Sequence, residues 1–279
     1  MRDLEQETIL VTGATDGLGK RVASELAQRG AAVLLHGRNM ERLQTTLEEV
    51  GRESGSERLR SYQADFTSLR DVRELARRIL SDEESLDVLV NNAGIISRER
   101  ADSEDGYELT FAVNYLSHFL LTSLLVGRLL DSAPARIVNV ASAGQSPMNF
   151  EDPMLERDYD AMKAYSQSKL AQIMFTFELS ERLSDKGVSV NALHPASLMD
   201  TKMVRKTFGR SMSTVEEGAE ATVRLAAAPD LEGVTGRYFD GKREARADGQ
   251  AYDEAARKRL WNLSEELCGS FLELIDSRR

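Results

Sequence analysis

The segment Thr12-Gly13-Ala14-Thr15-Asp16-Gly17-Leu18-Gly19 restricts the fold of this chain more than any other. It follows an apolar run at 8–12 and opens an amphipathic helical pattern at 17–29. Glycine tolerates backbone conformations and close approaches that a Cβ would block. The start of a helix offers unpaired N–H groups and a positive dipole end, which suit a pyrophosphate. The spacing is G-x3-G-x-G rather than GxGxxG. It is not a P-loop, because Arg21 stands after Gly19-Lys20 where a magnesium-holding Ser or Thr would be needed. An ordinary turn with a helix entry is the alternative reading of the segment taken alone.

The rest of the chain continues this strand-turn-helix rhythm. β-rich runs at 8–12, 31–36, 58–63, 87–91, 135–141, 187–193 and 235–239 alternate with helical patterns. The latter lie at 17–29, 40–51, 68–80, 104–130, 160–185, 214–227 and 253–273. This order predicts an α/β fold, a Rossmann-type doubly wound parallel sheet of about seven strands with helices on both faces. Stretches 97–106, 143–160 and 196–213 break the periodicity and read as loops. With no linker in view, residues 1–279 read as one domain, with 241–279 as a C-terminal helical extension.

Composition removes several classes. A net charge of −10 makes non-specific binding to nucleic acid or an anionic membrane a poor fit. One cysteine, Cys268, excludes an intramolecular disulfide, and three scattered histidines offer no metal cluster. No apolar stretch is read as reaching the roughly 20 residues of a spanning helix. Glu5 and Glu7 before the first strand disfavour a leader peptide. The expectation is a cytoplasmic enzyme or regulator with no metal, no nucleic acid and no membrane.

The tip of the second strand addresses the nucleotide. An acidic residue there binds the ribose 2′-hydroxyl of NAD, whereas a nearby Arg accommodates the 2′-phosphate of NADP. This strand ends His36-Gly37-Arg38-Asn39, with no carboxylate. Arg38 can hold a phosphate through paired, charge-assisted bonds, so NADP(H) is favoured over NAD(H). Asp65 reads either as an acceptor for the adenine amino group or as the N-cap of the helix beginning near Ser68.

Three Tyr-x-x-x-Lys pairs occur: Tyr159/Lys163, Tyr165/Lys169 and Tyr238/Lys242. Positions i and i+4 share a face only in a helix. Phe239-Asp240-Gly241 reads as a strand end and turn, which removes the third pair. Asp158 and Asp160 flank Tyr159 and disfavour a phenolate. Tyr165 has small neutral neighbours that let a flat ring approach, so Tyr165 and Lys169 are the expected acid/base pair. Bringing a tyrosine from its usual value near 10 to about 7 takes about 4 kcal/mol. One lysine charge about 5 Å away at an effective dielectric of about 20 supplies about 3 kcal/mol. A positively charged oxidised nicotinamide nearby would supply the remainder.

These motifs together resemble the short-chain dehydrogenase/reductase family, compact division, in the style of its retinol-dehydrogenase-like members. The resemblance rests on Thr12–Gly19, Asn91-Asn92-Ala93-Gly94, Asn114, Ile137–Ser142, Tyr165–Lys169 and His194-Pro195, in that order. It implies that Ser142 holds the substrate oxygen beside Tyr165, and that Lys169 contacts the nicotinamide ribose and supports the phenolate. It implies that Asn114 holds a water linking Lys169 to solvent, and that Asn91 to Gly94 stabilise the sheet and face the cofactor. Gly13, Thr15, Asp16, Gly17, Leu18, Gly19, Arg38, Asp65, Phe66, Asn92, Ala93, Gly94, Tyr165, Lys169 and Pro195 are then the cofactor-binding residues. It also implies a homodimer through the helices at 104–130 and 160–185. Three departures stand out: Ala196 replaces the family's usual Gly after Pro195, Thr201 comes one residue later than usual, and Ala141 replaces a second serine.

Met148, Met154, Met162, Met199, Met203 and Met212 lie in or beside the loops, with Phe150 and Phe208. They read either as an adaptable apolar substrate pocket or as packing under a lid. The pocket reading places Met148 and Met199 with Ser142 and Tyr165 against a small-molecule carbonyl or alcohol of apolar character. The final helical pattern, with Leu260, Trp261, Leu263, Leu267 and Phe271, reads as packing or as a cover for the cleft, a sheet edge or an interface. The chain is thus expected to be an NADP(H)-dependent carbonyl reductase or alcohol dehydrogenase. A ketide or secondary-metabolite reductase and a cofactor-binding sensor with little turnover are the alternatives. A sugar-nucleotide epimerase would need a larger C-terminal substrate domain.

Overall fold

The structure, a computed structural model, describes residues 4–272. Its centre is built from strands that are apolar on both faces, as a sheet covered on both sides requires. β1 (Thr8–Val11), β4 (Val88–Asn91), β5 (Ala135–Val140) and β6 (Val188–His194) are buried at every position. With β2 (Ala32–Gly37), β3 (Leu59–Gln63) and β7 (Arg237–Asp240) they form a parallel sheet. Its order is β3-β2-β1-β4-β5-β6-β7, closed by a short antiparallel β8 (Arg243–Ala245). The order reverses at β1, where Leu10 lies opposite Leu34 of β2 and Leu89 of β4. Ligands of such sheets bind in the crevice at that switch point.

Side-chain alternation divides the core in two. Leu10, Leu34, Leu89 and Ile137 face α3 (Leu69–Asp82), α5 (Ser117–Asp131) and α6 (Ala161–Arg182). Ile9, Val11, Val33, Val88 and Val90 face α1 (Gly17–Gln28) and α8 (Val215–Ala227), and α2 (Met40–Ser54) packs beside α1. Each large apolar side chain so buried contributes about 1.5–3 kcal/mol of transfer free energy.

Several elements depart from the sequence expectation. The helix expected from 104 begins at α4 (Leu109–Phe111). Gly106 takes φ +83, and the buried Glu108 carboxylate accepts the N–H groups of Thr110 and Phe111, so the helix starts there. It passes through one π-helical turn, Ala112–Leu116, into α5. The continuous helix Leu109–Asp131 is in fact long and apolar enough to cross a membrane, which corrects the reading that no stretch is. The protein buries 83% of its apolar window, as in a core helix. β8 escaped notice because its exposed Arg-Glu-Ala sequence carries no apolar alternation. The short helix α7 (Lys202–Phe208) lies inside a stretch read as loop and has no buried residue.

The last helix, α9 (Glu254–Leu272), packs on α6, α5 and α3; residue 273 of its expected span lies outside the described residues. Trp261 meets Phe119 edge-on at 5.1 Å and stacks on Phe175 at 6.0 Å. Tyr115 Oη and Ser264 Oγ are 2.7 Å apart. Arg257 is buried against Glu178 and Glu181. The faces of α5 and α6 carrying these aromatics are therefore covered within the chain.

Candidate active site

One cleft of about 580 Å³ opens at the carboxyl ends of the strands, at the switch point. It brings together residues from the glycine turn, the tip of β2, the segment after β4, Ser142, Tyr165 and Lys169. All the anticipated cofactor residues line it, from Gly13 to Pro195, and so does Met199. Asn114 and Met148 do not.

The glycine turn is shaped by its neighbours. Asp16 caps α1, its Oδ1 accepting the Gly17 N–H at 2.9 Å. Gly13 takes φ +65, and a Cβ there would lie 2.8 Å from Ala93 Cα. Thr12 Oγ1 accepts the N–H groups of Asn92 and Ala93 at 2.8 and 3.0 Å, so the turn and the Asn-Asn-Ala-Gly segment are held as one body. Asn91 instead joins Thr122 and Asn139 inside the sheet, each at 2.9 Å.

His36 is a structural residue that sequence reading passed over. Its Nδ1 accepts the Gly13 N–H at 3.2 Å, so Nε2 carries the hydrogen and donates to the Ala64 carbonyl at 3.1 Å. Phe66 stacks on it at 4.2 Å. Burial lowers its pKa to about 4, which keeps it neutral in this role. Nothing in the local sequence marks it, because its partners come from two other strand ends.

Three cations surround the far end of the cleft. Arg38 lies at the tip of β2, and its guanidinium has no ion-pair partner among the described residues. Arg42 from α2 and Lys202 from α7 both reach Asp16 Oδ2, at 3.1 and 2.8 Å. Arg42 and Lys202 were not anticipated; their pairing to Asp16 depends on folding across elements. Asp65 lines the cleft but is not the cap of α3. Its Oδ1 accepts the Thr67 N–H at 3.0 Å, while Asp105 Oδ2 accepts the first free N–H of α3, that of Leu69, at 2.8 Å.

At the other end α6 projects Tyr165 and Lys169 from one face. The Ser142 side chain hydrogen-bonds Tyr165. Burial raises the Tyr165 pKa, and the Ser142 bond opposes that. Lys169 Nζ lies 5.7 Å from the Tyr165 ring centre. Burial brings its own pKa down to about 7, and its Nζ donates to the Val140 carbonyl and to Gln172 Oε1, both at 2.8 Å. Near neutral pH it is only partly charged.

Asn114 makes no contact with Lys169. Its side chain holds Ile95 by both backbone groups, at 2.7 and 3.0 Å, and donates to Ser168 at 3.0 Å. Its carbonyl accepts from His118 Nδ1 at 2.9 Å, and Gln172 Nε2 lies 3.3 Å from that nitrogen. Lys169 and Asn114 thus share no direct hydrogen bond; Gln172, which accepts from Lys169, lies beside the His118 that donates to the Asn114 carbonyl.

The rejected tyrosines are elsewhere. Tyr159 donates to the Ser97 carbonyl at 2.8 Å and does not line the cleft. Tyr238 donates to the Ser142 carbonyl at 3.1 Å, behind the site. Met148 is buried in the core, so its expected place in the pocket is corrected. Its backbone is held by Gln250 at both the N–H and the carbonyl. Met162, Met199, Met203 and Phe208 line the cleft, whereas Met154 and Phe150 pack on the core and Met212 is 69% exposed. The later position of Thr201 does not remove it from the site. Leu198 takes φ +45, and Thr201 still lines the cleft, its Cγ2 within 3.1 Å of where a Gly17 Cβ would stand.

Comparison with known proteins matches residues 7–211 to the family model described as short chain dehydrogenase. Retinol dehydrogenase 13 of Mus musculus is 41% identical, over 94% of this chain and 84% of its own length. Human retinol dehydrogenase 14 is 38% identical, over 94% and 86%. Among solved structures, an uncharacterized protein of Mycobacterium paratuberculosis superposes with a TM-score of 0.77 at 30% identity, covering 94% of this chain and 93% of that one. A Shigella flexneri short chain dehydrogenase complexed with NADP gives 0.72 at 26% identity, over 87% and 100%.

Proposed function

This chain belongs to the short-chain dehydrogenase/reductase family, oxidoreductases that act on CH–OH groups, and from that premise we propose that it is an NADP(H)-dependent enzyme for an apolar aldehyde, ketone or alcohol. The observation that carries the reading is the convergence of Ser142, Tyr165, Lys169 and the glycine turn on one cleft.

The residues present fit the cofactor. The turn 13–19 presents the start of a 12-residue helix to the cleft, and Asn92 to Gly94 line its other side. Arg38, Arg42 and Lys202 against the Asp16 and Asp65 carboxylates leave a small net positive charge in the cleft, which suits a 2′-phosphate. The Shigella flexneri relative is a complex with NADP, which agrees with this choice. When bound, NADP(H) supplies or accepts the hydride.

The protein's own groups manage the oxygen and its proton. Ser142 Oγ accepts the Gly144 N–H at 3.0 Å, and its one hydroxyl hydrogen, shared with Tyr165, turns to a substrate oxygen placed between them. Tyr165, hydrogen-bonded to Ser142, donates its phenolic proton to that oxygen in reduction and takes one from the alcohol in oxidation. Lys169 supports the resulting phenolate in its ammonium form. Ile95, Ile96, Leu109, Val113, Met199 and Met203 line the cleft as well, which favours an apolar substrate. The names of the retinol dehydrogenase relatives point the same way, so a retinoid belongs among the substrates tried.

The test measures NADPH and NADH consumption with a panel of apolar aldehydes and ketones, retinal included, beside the Tyr165→Phe variant. NADPH-selective turnover that the variant loses supports the reading. Equal use of both cofactors would remove the NADP(H) preference, and turnover preserved in the variant would remove Tyr165.

A further inference from the structure

Ser142 is held from behind by residues that its own strand does not supply. Its carbonyl oxygen accepts from the Tyr238 hydroxyl at 3.1 Å and from Gln145 Nε2 at 2.9 Å. Gln145 spends its other atom outside the loop, Oε1 accepting the Asp248 N–H at 2.8 Å. Gln250 grips Met148 by both backbone groups, accepting its N–H at 2.6 Å and donating to its carbonyl at 3.2 Å. The stretch 248–250 is itself fixed: Asp248 Oδ1 accepts the Gln250 N–H at 2.9 Å, and Ala251 beside it is fully buried. The loop that carries Ser142 and Gly144 into the cleft is therefore fastened at Gln145 and Met148 to the C-terminal extension, beyond residue 211 where the family match ends.

We propose that Gln145 and Gln250 are positioning residues for Ser142, which makes the 248–250 stretch of the extension a working part of the active site. This rests on the oxidoreductase reading above. Between β5 and α6 the chain has no helix or strand of its own, so hydrogen bonds fix where the loop sits. They are those to the extension, and those of the Ser146 N–H to the Ser166 carbonyl at 3.3 Å and the Asn149 N–H to Gln167 Oε1 at 2.9 Å on α6. Substrate geometry depends on Ser142 to a fraction of an ångström, and a shift of about 1 Å can cost about a hundredfold in rate. The demand on Gln145 is chemically specific. It must donate at one end and accept at the other, which a carboxylate of the same shape cannot do.

The experiment compares Gln145→Ala, Gln145→Glu and Gln250→Ala with the wild-type chain by three readouts. These are NADPH affinity by titration, kcat and KM with nonanal and with retinal, and hydrogen–deuterium exchange of the segment 142–150. The expected result is faster exchange over 143–150, a kcat lowered by about ten- to a hundredfold and unchanged NADPH affinity. Gln145→Glu should be impaired at least as much as Gln145→Ala, an order that a simple packing role does not produce. Wild-type kcat with unchanged exchange overturns the proposal. So does an equal loss of NADPH affinity, which marks general loosening. If the wild-type chain reduces neither probe, the oxidoreductase reading has failed for them and exchange alone decides the brace: unchanged protection over 143–150 rejects it, and lost protection upholds it.

Discussion

The Lys169 ammonium nitrogen lies 5.7 Å from the centre of the Tyr165 ring, one helical turn along the same face of α6. It donates to the Val140 carbonyl and to Gln172 Oε1. Both side chains sit where burial disfavours their charged forms. The pair is thus arranged for proton transfer in surroundings that favour the neutral form of each.

Replacing Tyr165 with Phe removes the proton donor while leaving the ring in place. Turnover should fall by about a hundredfold or more, the usual scale of a general acid, with NADPH binding retained. Tyr159→Phe should be near wild type in steady-state assays, because Tyr159 hydrogen-bonds Ser97 outside the cleft. Loss of turnover in that variant would reinstate the rival pair.

Lys169 makes stability depend on pH. Its pKa is lowered from 10.5 to about 7, so between those values the unfolded chain binds a proton that the folded chain does not. Stability at this position therefore rises with pH across that window, by at most about 1.4 kcal/mol per pH unit, and the full penalty stands below it. Thermal denaturation of Lys169→Met should show the largest gain relative to wild type near the bottom of the window and a shrinking one toward its top. A pH-independent difference between the two would contradict this.

Arg38→Ala should weaken NADPH by about tenfold or more and NADH little, since a hydrogen bond to a charged group contributes about 1.5–3 kcal/mol. Arg42→Ala should show a smaller effect, because its guanidinium already shares Asp16 with Lys202. Fluorescence titration with each cofactor measures both. Equal losses for NADPH and NADH would remove Arg38 from phosphate recognition.

The two methionines assigned together by sequence should now separate. Met199→Ala should raise KM for a long-chain aldehyde, as Met199 lines the cleft. Met148→Ala should chiefly lower stability, by about 2–5 kcal/mol, as a buried core truncation does. Steady-state kinetics on a series of chain lengths, with urea denaturation, distinguishes them. A KM change confined to Met148→Ala would restore its place in the pocket.

Trp261→Ala should destabilise the chain by about 2–4 kcal/mol through loss of its contacts with Phe119 and Phe175. Its kcat should stay near wild type, since Trp261 is not among the residues that line the cleft. Urea unfolding followed with and without NADPH checks both statements.

Much of this protein is written locally and was legible in the sequence. The parallel sheet followed from apolar runs alternating with helical periods, because a strand buried on both faces must be mostly apolar, with its few polar side chains paired as Asn91 and Asn139 are. Gly13 to Gly19 announced the turn, since only such a run lets the helix start lie open to a ligand. Tyr165 and Lys169 could be chosen because a spacing of four is a contact once the segment is helical. Tertiary structure decided what depends on partners far away in the chain. His36 acquires its task from Gly13 and Ala64, and Arg42 and Lys202 acquire theirs from Asp16. Asp65 lost the cap of α3 to Asp105, which arrives from 36 residues away. Met148 packs in the core while Gln250 holds its backbone, and burial in the fold lowers the pKa of Lys169 to about 7. Periodicity and turn chemistry are properties of neighbouring residues, whereas burial, pKa and the choice of hydrogen-bond partner are properties of the packed whole.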